Sequence, residues 1–421
     1  MKGFTFKEAF GYLEKLSRLG IRMGLENIGR LMELLGHPER AFRAVHIGGT
    51  VGKGSTAHLV ASILRSAGYK TGLFTSPHIY DVRERFRING EMIGRKEFAS
   101  LLWEIKERIE SVEDFHPTQF EVHTALAFLW FARSGCDFAV IEVGLGGRLD
   151  ATNVLMPALT IITDIGIDHT DLLGSTIEEI AREKGGIIKE GVPLLTSAEG
   201  KALEVLRGIC EERGASIFPL GEAIFWEERD GLTVRSPWAE VSEIKSGLKG
   251  GHQRKNIALA VSAGLYLGCP DWAIREGVRK TRIRGRFEVV GNEPKIVLDG
   301  AHNPPSMRAL REAMERYFPE KKMVLVMGML RDKPIEEAMR EIVPYARVVI
   351  LTPPPSERSA DLEDLVRTAR KYNENVVGIE DNVEALRKAV DMAREGDVVV
   401  VAGSFYLLGA LGNVRRLLRK R

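Results

Sequence analysis

The sequence predicts an α/β protein of two domains, each a largely parallel sheet covered by helices, and three observations support that expectation. Short apolar runs alternate with helical stretches along the chain. Successive parallel strands must be joined by crossovers, so this alternation reads as βαβ units. The 421 residues exceed what one core normally fills, and 44% hydrophobic with 28% charged residues is the balance of a globular chain. Gly291, Asn292 and Pro294 cluster between two such series, which places a boundary at 290–294 and divides the chain into domains 1–290 and 291–421.

The segment up to about Arg40 reads as helical, because Leu25, Ile28, Leu31, Leu34 and Leu35 recur at three- and four-residue spacing before Gly36 and Pro38 stop the pattern. A strand over 42–47 then leads through a glycine-rich turn into a helix over 55–67. Gly68 ends that helix ahead of a second strand at 71–75. Further strands are expected at 138–143, 159–165 and 192–196, with helices at 120–133 and 177–188. The second of these helices opens with Ser175 and Glu178 at capping-box spacing. Past Arg286 come strands at 296–298, 323–326, 348–351, 376–379 and 398–401, and each but the last leads into an amphipathic helical pattern. No internal repeat or low-complexity segment interrupts the series.

Composition excludes several function classes. Lys plus Arg number 60 and Asp plus Glu 58, so no global field draws in nucleic acid. The basic tail from Arg415 to Arg421 reads as a solvated helix end. Cys136, Cys210 and Cys269 form no C-x-x-C pair, which argues against a disulfide framework or a cysteine-rich zinc site. No apolar run approaches the roughly 18 residues of a membrane span. The first ten residues carry Lys2, Lys7 and Glu8 where a signal peptide is apolar, so a reducing cytoplasm is expected.

The strongest local motif is Gly48-Gly49-Thr50-Val51-Gly52-Lys53-Gly54-Ser55, set between a strand and a helix. Backbone amides in such a loop cradle phosphate oxygens, and a lysine neutralises the β and γ charges. Ile47 stands where the usual pattern has its first glycine, and Ser55 comes one place late. Gly144-Leu145-Gly146-Gly147-Arg148-Leu149 begins like a dinucleotide fingerprint, but Leu149 replaces the third glycine and NAD is excluded. Glu142 ends an apolar strand, where a carboxylate needs a cationic partner such as a metal or an arginine. Asp168-His169-Thr170 and Asp299-Gly300-Ala301-His302-Asn303-Pro304 each follow a strand, on the edge where parallel sheets hold ligands. Lys184, on a helix, has by residue type alone the look of a solvated side chain.

Together these motifs resemble the Mur-ligase superfamily, in particular its folylpolyglutamate synthases and bifunctional dihydrofolate synthases. The likeness extends through Met23-Gly24-Leu25, Thr75-Ser76-Pro77-His78, Thr118-Gln119-Phe120-Glu121, the run from Glu142 to Asn153, and Glu183-Lys184-Gly185-Gly186. It continues through His252-Gln253-Arg254-Lys255-Asn256, Gly285-Arg286-Phe287-Glu288 and Gly403-Ser404. One departure is Val51, where the family usually has asparagine.

The resemblance implies a P-loop ATPase-like first domain, a smaller Rossmann-like second domain, and ATP-dependent joining of L-glutamate to a folate or to dihydropteroate through an acyl phosphate. Lys53 matches the phosphate-binding lysine, with Gly52, Gly54 and Ser55 as loop contacts. Asn256, Arg286 and Asp299 match nucleotide positions, which implies ATP between the domains. Ser76, Glu142 and His169 match ligands of magnesium, for which two ions are implied, and Lys184 matches a lysine carried as a carbamate. His302 and Ser404 match the glutamate side. Thr118, Phe120, Glu121, Arg148 and Asp150 match the pterin side. No interface is required, so a monomer is expected. A peptidoglycan ligase would carry a UDP-binding domain ahead of a loop that here begins already at Gly48. A nucleotide-binding regulator would not need Glu142, His169, Lys184 and Asp299 together.

Overall fold

The computed structural model describes residues 3–17, 20, 22–291, 293–412 and 414. The chain forms two compact units. One holds the chain up to Ser76, with Arg83–Ser246 and Arg254–Thr281. The other holds Pro77–Val82, Gly247–Gln253 and everything from Arg282.

The first unit is built on eight strands among the described residues: β1 Arg43–Gly48, β2 Thr71–Phe74, β3 Phe86–Ile88, β4 Glu91–Met92, β5 Phe138–Glu142, β6 Leu159–Ile162, β7 Leu194–Thr196 and β8 Ile217–Pro219. Their order is β4-β3-β2-β5-β1-β6-β7-β8. The sheet is parallel from β2 to β8, and the β3–β4 hairpin is antiparallel at one edge. Because β1 lies between β5 and β6, the three loops that leave their carboxyl ends emerge side by side, at the edge where open α/β sheets bind ligands.

Helix Gln119–Arg133 is buried from Glu121 through Phe131, as an apolar stretch without a polar face must be. It begins with a capping box in which Thr118 and Glu121 pair reciprocally. A second capping box opens Ile177–Gly185, formed by Thr176 and Glu179. That is one residue beyond the expected Ser175 and Glu178; Glu178 instead pairs with Lys201 at 2.7 Å.

A separate antiparallel sheet of β9 Phe225–Glu228, β10 Leu232–Arg235 and β11 Glu240–Ile244 was not anticipated from sequence. The N-terminal helical region resolves into Phe6–Ser17, Glu26–Leu34 and a 3-10 turn at Pro38–Arg40.

The second unit carries β12 Glu288–Val290, β13 Lys295–Leu298, β14 Met323–Met327, β15 Ala346–Leu351, β16 Val376–Gly378 and β17 Val398–Ala402, in the order β12-β13-β17-β14-β15-β16. Side chains alternate across a strand, and β17 shows why it is apolar throughout. Val398, Val400 and Ala402 join one core with Leu325 and Val349, while Val399 and Val401 join the other with Val324, Val326 and Ile350. A sheet buried on both faces leaves no place for a polar strand residue.

The place read as a domain boundary falls between two strands of one sheet, since β12 pairs antiparallel with β13, and Gly291, the first residue after β12, takes φ +73°. Turn-forming residues mark a hairpin as readily as a linker. Strand β17 is followed by a short helix, Phe405–Leu411. No helix among the described residues is long and apolar enough to cross a membrane, and the three cysteines are free and buried. The basic tail lies outside the described residues.

Candidate active site

Between β1 and helix Lys53–Ser66, the loop turns on two glycines. Gly49 has φ +133° and Gly52, capping the helix, has φ +98°. A β-carbon at Gly49 would lie 1.9 Å from Thr163 Oγ1, and one at Gly52 would lie 2.4 Å from Asn256 Oδ1. Both conformation and space therefore require glycine. The amides of Thr50 and Val51 donate to the Asp164 carbonyl at 2.8 and 3.4 Å, so they hold the loop against the chain leaving β6. The Val51 contact is made by its backbone amide, so it does not depend on whether valine or asparagine stands here. Pairing within the helix begins at Thr56, whose amide donates to the Gly52 carbonyl at 2.9 Å. The turn before it, with Lys53, Gly54 and Ser55, is the part of a helix that accepts anions.

Two lysines converge on this loop. Lys53 Nζ donates to the carbonyls of Gly49 at 2.9 Å and Thr50 at 3.3 Å. Lys184 Nζ donates to the same Gly49 carbonyl at 2.9 Å. Although lysine is normally solvated, Lys184 is only 4% exposed. Burial pulls its pKa down to about 7. The charge of Lys53 acts in the same direction, and Asp168 and Asp150 oppose it. A sizeable fraction of the amine, about half, is thus neutral near pH 7.

Glu142 ends β5 and is 4% exposed. Its Oε2 accepts the Ser76 amide at 2.9 Å. A β-carbon at Gly54 would stand 3.5 Å from both carboxylate oxygens, so the absent side chain leaves a hollow beside the carboxylate. Asn256 is also buried, and its Oδ1 accepts the Thr56 hydroxyl at 3.4 Å. His169 occupies the left-handed region at φ +53°, capping Thr170–Leu173. Its amide donates to Asp168 Oδ1 at 3.0 Å, and its Nε2 lies 3.9 Å from the same oxygen. No group of three or more His, Cys, Asp or Glu side chains poised to hold a metal occurs among the described residues. A cation at Glu142 would therefore take much of its coordination from phosphate and water, which is how magnesium is commonly held beside a nucleotide.

The residues matched to the pterin side are tied into backbone. Thr118 and Glu121 cap their helix, the amide of each meeting the side chain of the other at 2.6 and 3.3 Å. The Phe120 ring packs so tightly under Gly144 that a β-carbon there would lie 2.4 Å from Cζ. Asp150 accepts the Leu145 amide at 2.8 Å, the Thr152 amide at 3.0 Å and the Thr152 hydroxyl at 2.5 Å. Burial raises its pKa against these bonds. Since the Thr152 hydroxyl donates to Asp150, it accepts from His46 Nε2 at 2.8 Å. Arg148 meets Glu183 through Nε at 2.9 Å and Nη2 at 2.7 Å.

In the second unit the carboxyl ends of the neighbouring strands β13 and β17 gather the remaining candidates. Asp299 accepts the amides of Phe287 and Ala301 at 2.7 and 2.8 Å. Burial raises its pKa, opposed by Arg286 and these two amides. The Arg286 guanidinium lies 4.7 Å from the centre of the Phe405 ring, and the His302 ring lies 6.2 Å from the same ring. His302 Nδ1 is 2.7 Å from the Gly300 carbonyl, so Nδ1 carries the proton of that bond. Ser404 Oγ accepts the Tyr406 amide at 3.0 Å. Phe405, the common neighbour, went unnoticed in the sequence, where its only signal is an aromatic directly after Ser404. Thr163 and Asp164, which hold the phosphate loop, had no sequence signal at all.

Comparison with known proteins matches residues 47–264 to the Mur ligase middle domain and 285–405 to the Mur ligase glutamate ligase domain. The dihydrofolate synthase/folylpolyglutamate synthase of Bacillus subtilis is 36% identical over 96% of this chain and 97% of its own length. Mycobacterium tuberculosis folylpolyglutamate synthase, solved with ADP and AMPPCP, superposes with a TM-score of 0.90 at 30% identity over 99% of both chains. A bifunctional folylpolyglutamate synthase/dihydrofolate synthase solved with Mn, AMPPNP and L-glutamate gives 0.89 at 29% identity over 98% of each. Phosphate loop, buried lysine and two-unit sheet architecture thus agree with full-length similarity, and the chain belongs to the folylpolyglutamate synthase/dihydrofolate synthase branch of the Mur ligase family.

Proposed function

We propose that this protein is an ATP-dependent ligase that joins L-glutamate to the γ-carboxylate of a reduced folate and also to dihydropteroate. The observation that carries the reading is the meeting of Lys53 and Lys184 on the Gly49 carbonyl of the phosphate loop. Full-length likeness to the bifunctional Bacillus subtilis relative supports both acceptors.

A carboxylate resists attack by an amine until it gains a leaving group. In the proposed reaction its oxygen attacks the γ-phosphorus of ATP, and the bond to ADP breaks. The glutamate amine then attacks the acyl carbon, loses a proton and expels phosphate. Lys53 and the first turn of its helix face the phosphate charge, which positions the groups and stabilises the transferring phosphoryl. Asn256 bears on the same loop, and Arg286 and Asp299 are assigned to the nucleotide by their match to the family's positions. His302 and Ser404 receive glutamate. The segments around Phe120 and Asp150 receive the pterin.

Glu142, Ser76 and His169 would hold magnesium. The hollow at Gly54 and the hard oxygen of Glu142 fit such an ion, which when bound supplies positive charge to the phosphate oxygens. Lys184 is proposed to act as a carbamate. Its burial and its low pKa supply the neutral amine that adds carbon dioxide, and the resulting anion suits a cation where an ammonium would repel it. Intact-site mass measured in protein that turns over should find the added carbon dioxide on Lys184, and a free amine there would remove that part of the reading.

Glutamate-dependent ADP release tests the function, with a reduced folate monoglutamate and dihydropteroate offered separately. Release with both acids is expected. Release with the folate alone would reduce the protein to a folylpolyglutamate synthase, and release with neither would overturn the reading.

A further inference from the structure

Arg148 grips Glu183 at two points. Its amide donates to the Glu183 carbonyl at 2.7 Å, and its guanidinium meets Glu183 Oε1 through Nε and Nη2. The surrounding backbone is equally close. A β-carbon at Gly147 would lie 2.8 Å from the Glu183 carbonyl and 2.9 Å from that of Lys184, and one at Gly186 would lie 2.3 Å from Arg148 Cβ. Asn153 Nδ2 completes the splint by donating to the carbonyls of Arg148 at 2.9 Å and Gly186 at 3.2 Å. These contacts enclose the last turn of helix Ile177–Gly185, from which Lys184 reaches Gly49.

We infer that Arg148 is a positioning residue for Lys184, acting through Glu183, rather than a contact to the pterin. The inference rests on the proposed role of Lys184 at the phosphate loop. Glu183 is the discriminating partner, because it precedes Lys184 and had no place among the residues matched to the pterin. If Arg148 reads substrate, changing Glu183 should not copy its loss. If the pair sets the last turn of the helix, either change should disturb turnover and leave folate affinity alone.

The test compares Arg148→Met, Glu183→Gln, the double variant and Lys184→Met, measuring kcat and the KM for folate in full-length protein with ATP, magnesium and glutamate. A small misplacement of a catalytic group lowers rate steeply, so each single variant should lose about tenfold in kcat with KM for folate within about twofold. The double variant should be no worse than the worse single, as expected for residues acting through one contact. Arg148→Lys, which keeps the charge but not the fork, should recover part of the rate. The Arg148 end of the pair is 55% exposed and the Glu183 end 17%, and exposed pairs add little stability, so thermal midpoints should fall by a few degrees at most in Glu183→Gln and Arg148→Met.

A large rise in KM for folate in Arg148→Met alone, with Glu183→Gln unchanged, would overturn the inference, as would full kcat in both. Wild-type turnover by Lys184→Met would overturn the underlying reading as well. An inactive Lys184→Met beside fully active pair variants would overturn this inference only.

Discussion

Replacing Gly54 with alanine should separate folding from turnover. Gly54 is the second residue of helix Lys53–Ser66 and is not among the positive-φ positions, so alanine can adopt its backbone. The added carbon would stand 3.5 Å from Glu142 Oε1 and Oε2 and 3.8 Å from Cδ, which is ordinary contact. Alanine in place of glycine adds roughly 0.4–1 kcal/mol through the unfolded chain and helix propensity, with the lower end applying in a first turn. The thermal midpoint should therefore hold or rise slightly. Catalysis should move the other way. Oxygen–magnesium bonds are about 2.1 Å long, so a methyl in contact with the carboxylate excludes an ion from that face. Losing one well-placed electrostatic contact costs on the order of 3 kcal/mol, about a hundredfold in kcat. The assay is ADP release across a magnesium titration, beside a melting curve. A hundredfold loss, or a comparable rise in the magnesium needed, on an intact fold is expected. Wild-type kcat and magnesium dependence would refute the assignment of this hollow, and an unfolded variant would refute the packing on which it rests.

Other outcomes follow from the same contacts. Lys53→Ala removes the donor to Gly49 and Thr50, and should abolish ligase turnover while circular dichroism and the thermal midpoint stay near wild type; folded protein with normal rates would remove Lys53 from the chemistry. Gly277→Ala would bring a β-carbon to 2.5 Å from Ile63 Cα and 2.7 Å from its amide nitrogen, forcing helix Asp271–Lys280 off helix Lys53–Ser66. Overpacking of this kind costs about 1–3 kcal/mol, so the midpoint should fall by several degrees, whereas Gly208→Ala, with open space around it, should not lower it.

His46 gives a pH dependence. Burial, with Lys189 adding to it, lowers its pKa to about 3, against about 6.5 in an unfolded chain. Below pH 6.5 the unfolded state binds the extra proton, so folded stability declines, by about 2 kcal/mol at pH 5. His46→Gln should flatten the slope of midpoint against pH between 7 and 5, and an unchanged slope would count against a neutral buried imidazole. The buried acids Asp150 and Asp299, with raised pKa values, contribute in the opposite sense and are common to both proteins.

Much of the fold was legible in the sequence because a strand buried on both faces is mostly apolar, as β17 and the first four residues of β5 are. The strand expected at 138–143 forms as Phe138–Glu142. The sheet of β9 to β11 was hidden for the converse reason. Its strands are four or five residues long, and β9 has no buried side chain, so no apolar run marks them. Neither this hairpin, with Asp230-Gly231 between β9 and β10, nor that of β3 and β4, with Asn89-Gly90 at positive φ, was read from the sequence, although Asp-Gly and Asn-Gly are the residues such turns favour.

Within the site, the order of strand, glycine loop, Lys53 and helix was readable from the sequence, and the structure keeps it. The burial of Lys184 was not, since it depends on long-range packing against Gly147, Arg148 and the loop, and its one local trace is the Gly185-Gly186 pair. Thr118 and Glu121 show the limit from the other side. A hydroxyl and a carboxylate three residues apart serve a substrate site, a helix cap or both, and the bonds at 2.6 and 3.3 Å show the cap, which their spacing alone did not.

The central claim, that the acid is activated through its own oxygen before glutamate attacks, is tested most directly with a reduced folate whose γ-carboxylate carries oxygen-18 at both positions. Mass spectrometry of the products should find one labelled oxygen in the released phosphate and one in the new amide for every turnover, and no transfer without ATP. Phosphate free of label, with amide product still forming, would contradict the account.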